Sequence, residues 1–550
     1  MNDWKQNKNL NPDLLKQLNE MTEVETYDAF YKNLSFGTGG IRGIVGPGTN
    51  RMNIYTLRKI NLGFGKYLLK QDSNPTVVIA YDSRHMSLEF AQDSARVLAT
   101  LGVKVYLFKD IAPTPLLSFA VRHLHTTGGI VITASHNPPQ YNGYKVYDGE
   151  GCQLVPKLVE QLNAEIQDDI DLFSIPADDF NALLETGKII YLDDEVTKEY
   201  FDLVKNVGIF PKIKKTAKVV YTPLHGTGGK LAERLLKELG YEYYCVEKQM
   251  VPDPNFSTVK SPNPEDHNAF NLALKLAKEK DADIVLATDP DADRLGVVVK
   301  HNGEYIFLTG NQVGALMIYF LAKYHMGKGN WTVFDTIVTS PLGAKIAESF
   351  NLDHVSTLTG FKYIGEQIKL IEKSIQLFFF GYEESSGYLI KDFVRDKDAL
   401  QALVLICEIS SYYKQQNHTL IDTLEEIYKK YGYYEEEIVN IGFEGETGNK
   451  KMEKIMDFFR TDALKGLDIS IIEDYLLSRR TGALPSKINL PKENVLKFFL
   501  SDGTWFALRP SGTEPKIKIY FSANANNKDD AVNIMAKLKN KVLEIIEGVN

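Results

Sequence analysis

The sequence predicts an α/β protein of four domains: three similar α/β domains with mixed, mostly parallel sheets, then a smaller C-terminal α+β domain. Three observations lead there. At 550 residues the chain is too long for one hydrophobic core, and at about 150 residues per domain it divides into three or four. Apolar, β-branched runs alternate with amphipathic helical stretches, the pattern of parallel sheets covered by helices. The alternation restarts near residues 217 and 331, and its texture changes after Tyr434. These breaks divide the chain into domains 1–207, 208–312, 313–433 and 434–550.

Residues 1–30 read as polar helix, with Asp13 and Leu14 opening a run that ends near Met21. "TVVIAYDSR" (76–84) is a strand and "SLEFAQDSARVLATLG" (87–102) a helix closed by Gly102. "VKVYLF" and "GGIVITA" are strands, and "PTPLLSFAVRHL" is a helix with prolines where its first donors would be orphans anyway. The same order runs from 217 to "DADIVLATDPDADRLGVVV", and from 331 to "IQLFFFGYEESSGYLI". "IVNIGF", "VLKFFLSDGTWFALRP" and "KIKIYFSA" read as antiparallel strands of the last domain. "GTGG" occurs at 37–40 and again at 226–229, a sign of internal repetition.

Basic residues number 63 against 72 acidic ones, a net charge of −9, which argues against a general nucleic-acid binder. Cys152, Cys245 and Cys407 are isolated and form no metal or disulfide spacing. The N-terminal stretch lacks the apolar segment of a secretory signal. The most apolar run, "GALMIYFLA" (314–322), is shorter than the roughly 20 residues a membrane helix needs. A cytoplasmic enzyme without membrane or nucleic-acid partners is expected.

Each α/β domain has an apolar strand running into an unusual polar loop, and ligand sites gather outside the carboxyl ends of such strands. In "IVLATDPDADRLGVVV", Asp289, Asp291 and Asp293 crowd three carboxylates into five residues, which is costly unless a cation neutralises them. An EF-hand fails because its glycine is Arg294 and its twelfth-position glutamate is Lys300. Three oxygen ligands completed by water or phosphate suit Mg²⁺. In "SFGTGGIRGIVGPG" the glycines permit close approach to an anion and Arg42 adds a fork. "LRPSGTEP" gathers Arg509, Ser511, Gly512 and Thr513, a candidate nest for a phosphate dianion. "FFFGYEESSGY" offers Glu383, Glu384 and Ser385 to sugar hydroxyls, and "VRDKDAL" offers Arg395 and Lys397 to phosphate binding or proton transfer, while each stretch taken alone reads equally well as solvated surface. "IVITASHNPPQYNGYKVY" places Ser135, His136 and Lys145 after a buried strand. No G-x-S-x-G elbow and no P-loop is present. A hydroxyl, a cation site and an anion nest together suit phosphoryl transfer.

TASHNP (133–138), DPDADR (289–294), the EES of 383–385 and RPSGTEP (509–515) together resemble the α-D-phosphohexomutases, in the family's order and one per domain. The resemblance implies four domains around a central cleft, with Ser135 carrying a phosphoryl group. It implies Mg²⁺ on Asp289, Asp291, Asp293 and an oxygen of phosphorylated Ser135. It matches Glu383 and Ser385 to sugar contacts, and Arg509, Ser511, Gly512 and Thr513 to the non-reacting phosphate. Arg42, His136, Lys145, Arg294 and Lys397 match positions around the reacting phosphoryl. The implied reaction interconverts α-D-glucose 1-phosphate and glucose 6-phosphate through glucose 1,6-bisphosphate, in a monomer or weak dimer. Ala399 stands where the family commonly has glycine, which bears on the loop geometry around Lys397; Tyr382 stands where many relatives have glycine, so pentose phosphates, and mannose phosphates, are alternatives. A metal-dependent nucleotide-sugar transferase with an unmodified serine is an alternative of another class.

Overall fold

The first sheet forms where the sequence is richest in buried β-branched residues. In the computed structural model, which describes residues 2–37, 40–167, 169–324, 327–443, 445–461, 466–510 and 516–549, it contains six strands. These are β1 (Ile41–Ile44), β2 (Thr76–Tyr81), β3 (Lys104–Leu107), β4 (Gly128–Ile132), β5 (Tyr141–Asp148) and β6 (Ile189–Tyr191), in the order β1-β5-β4-β2-β3-β6. β4, β2, β3 and β6 run parallel, while β5 and β1 turn the edge antiparallel. Val77, Val78, Ile79 and Ala80 are fully buried, as a central strand covered on both faces requires. Helices Ile54–Gln71, Ser87–Thr100 and Thr114–His123 supply the cover.

The second sheet has the order β11-β10-β9-β7-β8. Its strands are β7 (Lys218–Thr222), β8 (Glu242–Cys245), β9 (Ile284–Thr288), β10 (Leu295–His301) and β11 (Glu304–Leu308). β7, β8 and β9 are parallel, and β9 turns antiparallel into β10. The third region carries β12 (Asn330–Thr336), β13 (Asp353–Thr357), β14 (Gln376–Glu383) and β15 (Gly387–Leu389), the last two an antiparallel hairpin. The final sheet is antiparallel throughout: β16 (Tyr433–Gly442), β17 (Ile469–Asp474), β18 (Arg479–Arg480), β19 (Ser486–Lys487), β20 (Leu496–Leu500), β21 (Trp505–Pro510) and β22 (Lys516–Ala525). Ile455 and Phe459 of one helix and Met535 and Leu538 of another pack on its Phe498, Phe506 and Phe521.

By contact density the chain divides into two units. One comprises Met1–Val313, Gly327–Thr332 and Phe361–Thr419; the other comprises Gly314–Met326, Val333–Gly360 and Leu420–Asn550. The N-terminal polar helix is three short helices, Asn2–Gln6, Pro12–Glu20 and Glu23–Phe30. Asn11 caps the second, and a Thr22–Glu25 capping box opens the third, so local caps break what polarity alone reads as one run. Trp4 anchors them edge-on against Tyr55 and Phe173.

Candidate active site

The three polar loops occupy equivalent positions. Residues 133–140 join β4 to β5, 289–294 join β9 to β10, and 384–386 join β14 to β15; each follows a strand and turns into an antiparallel partner. All three lie in the first unit, and their side chains converge.

Ser135 sits in the left-handed region at φ 52°, which costs an L-residue roughly 1–2 kcal/mol and persists only where the surroundings enforce it. Its N–H donates to Thr133 Oγ1 (2.8 Å) and its hydroxyl donates to Asp289 Oδ2 (2.7 Å). His136 Nδ1 lies 3.3 Å from the same Oγ. Opposite the loop, a Cβ on Gly143 would fall 2.4 Å from the Thr133 carbonyl oxygen and 2.8 Å from that of Ile41, so the strands can close here only around glycine. Arg42, paired with Gly143 in register, reaches over to donate to Asn137 Oδ1 (2.8 Å).

Asp289, Asp291 and Asp293 are buried, with one carboxylate oxygen of each within 4.8 Å of the others. Lys145 Nζ lies 2.8 Å from Asp291 Oδ2 and 3.4 Å from Asp293 Oδ2, and Lys397 Nζ lies 2.7 Å from Asp293 Oδ2. Thr114 Oγ1 donates to Asp291 Oδ2 (2.8 Å). Asp289 Oδ1 accepts from the N–H groups of Asp293 and Arg294, both at 3.1 Å. Burial, then Asp293 and Asp291, push the Asp289 carboxyl well above its ordinary value. Burial also raises Asp291, but Lys145, Lys397 and the Thr114 hydroxyl together outweigh it and hold that carboxyl well below the usual range. For Lys397, burial lowers and Asp293, Asp396 and Glu383 raise; the carboxylates win, and its ammonium is held well above its ordinary range.

The residues present fit a hard divalent cation. All donors are oxygens, and Asp291 Oδ1 and Asp293 Oδ1 are buried without a hydrogen-bond donor among the described residues, with Arg294 Nε standing off at 3.9 Å from the latter. A buried carboxylate oxygen left in that state is costly, and a cation ligated by oxygen would satisfy it.

Three regions hold this loop. The Thr114 N–H donates to Asp291 O (2.9 Å), the Thr227 N–H to Pro290 O (2.8 Å), and the Ala399 N–H to Ala292 O (3.3 Å). The second GTGG is the buttress: a Cβ on Gly226 would lie 2.4 Å from Pro290 Cα. Arg294 donates to Glu265 Oε2 (3.1 Å) and to the Ser385 carbonyl (3.2 Å). Glu383 is buried, and burial raises its carboxyl against the pull of Lys397 and Arg294. A Cβ on Gly387 would meet Lys397 Cδ at 2.5 Å and Glu383 Oε2 at 3.5 Å, so the lysine stem crosses this glycine to reach the aspartates.

Ser135, His136, Lys145, Arg42, Arg294, Lys397, Glu383, Ser385 and the three aspartates therefore belong to one neighbourhood of the first unit. Arg509, on β21 of the second unit, pairs with Glu493 Oε1 at 3.0 Å, while Ser511, Gly512 and Thr513 lie outside the described residues. Arg395 does not join the site; it is fully buried and spent on Glu372 and the Asp392 carbonyl. Sequence reasoning missed Arg84, Thr114, Asp396 and Glu265. The signal for two of them was present: "YDSR" and "PTP" also stand just past parallel strand ends.

Matches to the four family models described as phosphoglucomutase/phosphomannomutase, alpha/beta/alpha domains I, II and III and C-terminal domain, cover residues 33–171, 198–303, 309–431 and 444–537. The chain belongs to the phosphoglucomutase/phosphomannomutase family. Within it, the chain is 42% identical over 536 residues to a phosphoglucomutase of Staphylococcus aureus (strain MRSA252), covering 95% of this chain and 96% of the relative. The fold is shared with a putative phosphomannomutase from Thermus thermophilus (TM-score 0.70, 23% identity, 94% of this chain and 100% of that one). It is also shared with pp63/parafusin from Paramecium (TM-score 0.69, 19% identity, 94% and 95%). Membership makes the chain an isomerase of the phosphotransferase kind, acting on small-molecule sugar phosphates. Among the described residues no helix is long and apolar enough to cross a membrane.

Proposed function

We propose that this enzyme interconverts α-D-glucose 1-phosphate and glucose 6-phosphate, with Ser135 as phosphoryl carrier and glucose 1,6-bisphosphate as intermediate. The observation that carries the reading is the 2.7 Å contact of Ser135 Oγ with Asp289, inside a buried triad of carboxylates. Mg²⁺ held by Asp289, Asp291 and Asp293 would neutralise charge developing on the phosphoryl oxygens. In the forward half-reaction the bond from Ser135 Oγ to phosphorus breaks as one forms to the sugar O6. The proton leaving O6 is balanced by one arriving at Ser135 Oγ, and His136 Nδ1, 3.3 Å away, is within reach of it. After the bisphosphate turns around, the same steps run in reverse from O1. Lys145 and Lys397 keep positive charge beside the reacting group, and Arg42 and Arg294 present further donors. Glu383 and Ser385 address the sugar hydroxyls, while Arg509, Ser511, Gly512 and Thr513 take the other phosphate.

Tyr382, the position that suggested a pentose, is fully buried and lies against Phe380 at 5.7 Å between ring centroids. It serves the core, so it supplies no argument for a pentose. Three free, buried cysteines support a reducing, cytoplasmic setting. Intact mass tests the proposal. The enzyme should carry one phosphoryl on Ser135 that glucose 1-phosphate removes and glucose 1,6-bisphosphate restores, and EDTA should abolish turnover. Full activity in Ser135→Ala would overturn the reading, and faster turnover of ribose or mannose 1-phosphate would replace its substrate.

A further inference from the structure

We propose that Arg84 is the positioning residue that fixes Ser135 for phosphoryl transfer, an inference resting on the reading of Ser135 as phosphoryl carrier. Arg84 lies just past the end of β2 with its side chain fully buried. Its guanidinium contacts no reacting atom. Nη1 donates to the carbonyls of Pro138 (2.9 Å) and Tyr141 (3.0 Å), and Nη2 to those of Ser135 (2.5 Å) and Asn137. One planar group thus satisfies three carbonyls of the turn that carries Ser135 and a fourth at the first residue of β5. Pro138 and Pro139 deny this turn a regular ladder; the Tyr141 N–H reaches the Pro138 carbonyl (3.0 Å), and Arg84 is the donor to those of Ser135 and Asn137.

The fork is itself held on two sides. Asp82 Oδ2 lies 3.3 Å from Arg84 Nε, while Asp82 Oδ1 accepts from the Arg84 N–H and from Ser87 Oγ. The guanidinium stands 4.9 Å from the ring centroid of Phe256, a buried residue itself at φ 48°. Phe256 lies between the two attachments of His225, whose Nδ1 is 2.8 Å from Val251 O and whose Nε2 is 2.7 Å from Thr258 Oγ1. The second α/β region therefore braces the serine turn of the first through Arg84. A lysine would preserve the charge but cannot make four directed bonds from one plane. Ser135 would then be free to leave its left-handed conformation.

The test compares Arg84→Lys, Phe256→Leu and the parent enzyme after loading with glucose 1,6-bisphosphate. Misplacement of a reacting group by about 1 Å costs about 100-fold. Arg84→Lys should accordingly carry one phosphoryl at Ser135 yet transfer it to glucose 1-phosphate about 100-fold more slowly, with KM little changed. Phe256→Leu, which removes a cation–π contact, should slow transfer about tenfold. If Arg84→Lys fails to fold, Phe256→Leu decides. Transfer per loaded Ser135 at the parent rate, in whichever variant folds, overturns the inference, as does a loss confined to KM. If the parent enzyme never acquires a phosphoryl at Ser135, the functional reading itself falls.

Discussion

Lys145→Met separates the electrostatic cost of the aspartate triad from its catalytic use. Lys145 is buried and within ion-pairing distance of two carboxylates. At an effective dielectric of about 20, Coulomb's law puts the 2.8 Å contact with Asp291 at about 6 kcal/mol before desolvation. Removing one partner of a buried pair costs about 3–5 kcal/mol. Lys397 still pairs with Asp293, and Thr114 still donates to Asp291, so the lower end, about 3 kcal/mol, is expected. At about 2–4 °C per kcal/mol for a domain of this size, the first melting transition in EDTA should fall by roughly 6–12 °C. Excess Mg²⁺ should recover most of that, because the cation replaces the missing positive charge. The sign with pH follows from Asp291, whose carboxyl is held below its ordinary value. Its stabilisation is complete above about pH 4 and is lost as pH falls further, so variant and parent should converge in acid. Thermal melts in EDTA and in Mg²⁺, repeated across pH, measure all three effects. Equal melting of variant and parent in EDTA, or equal gains from Mg²⁺, would refute the reasoning.

The Asp289 carboxyl is pushed well above its ordinary value by burial and by its two neighbours, so ionising it opposes folding as pH rises. Asp289→Asn should therefore melt higher than the parent in EDTA near neutral pH, with the gap closing in acid, and should gain nothing from Mg²⁺; lower melting in EDTA would contradict this. Thr114→Val removes a donor to Asp291 Oδ2 and should weaken Mg²⁺ binding about 10–100-fold, measured by calorimetric titration. Unchanged affinity would show that the threonine only fills space.

Much of this was legible in the sequence because the relevant signals are local. β-branched runs gave the strands of the α/β regions, and the change of texture after Tyr434, with its short apolar stretches, gave the antiparallel strands of the C-terminal sheet. Three carboxylates in five residues advertised a cation site without any knowledge of the fold. What remained hidden is non-local. Arg84 lies 51 residues before Ser135 in the chain, and the bond joins a side chain to a backbone carbonyl, which leaves no pattern in spacing. Thr114 reads as one more residue at a helix start until Asp291, 177 residues away, is seen beside it. Arg395 misled because an arginine two residues before a site lysine has the same letters whether it faces substrate or Glu372. The hairpin after each key strand was equally hidden, since an apolar strand looks alike whether a helix or an antiparallel partner follows.

The loop of residues 289–294 is held by hydrogen bonds from Thr114, Thr227 and Ala399, one from each of the three α/β regions. None of those regions owns the site. The three carboxylates share one loop, but its backbone is pinned by contacts that no single region supplies. Cation affinity is then a property that the three regions hold in common. A chain cut between any two regions should keep its separate sheets yet bind a divalent cation more weakly.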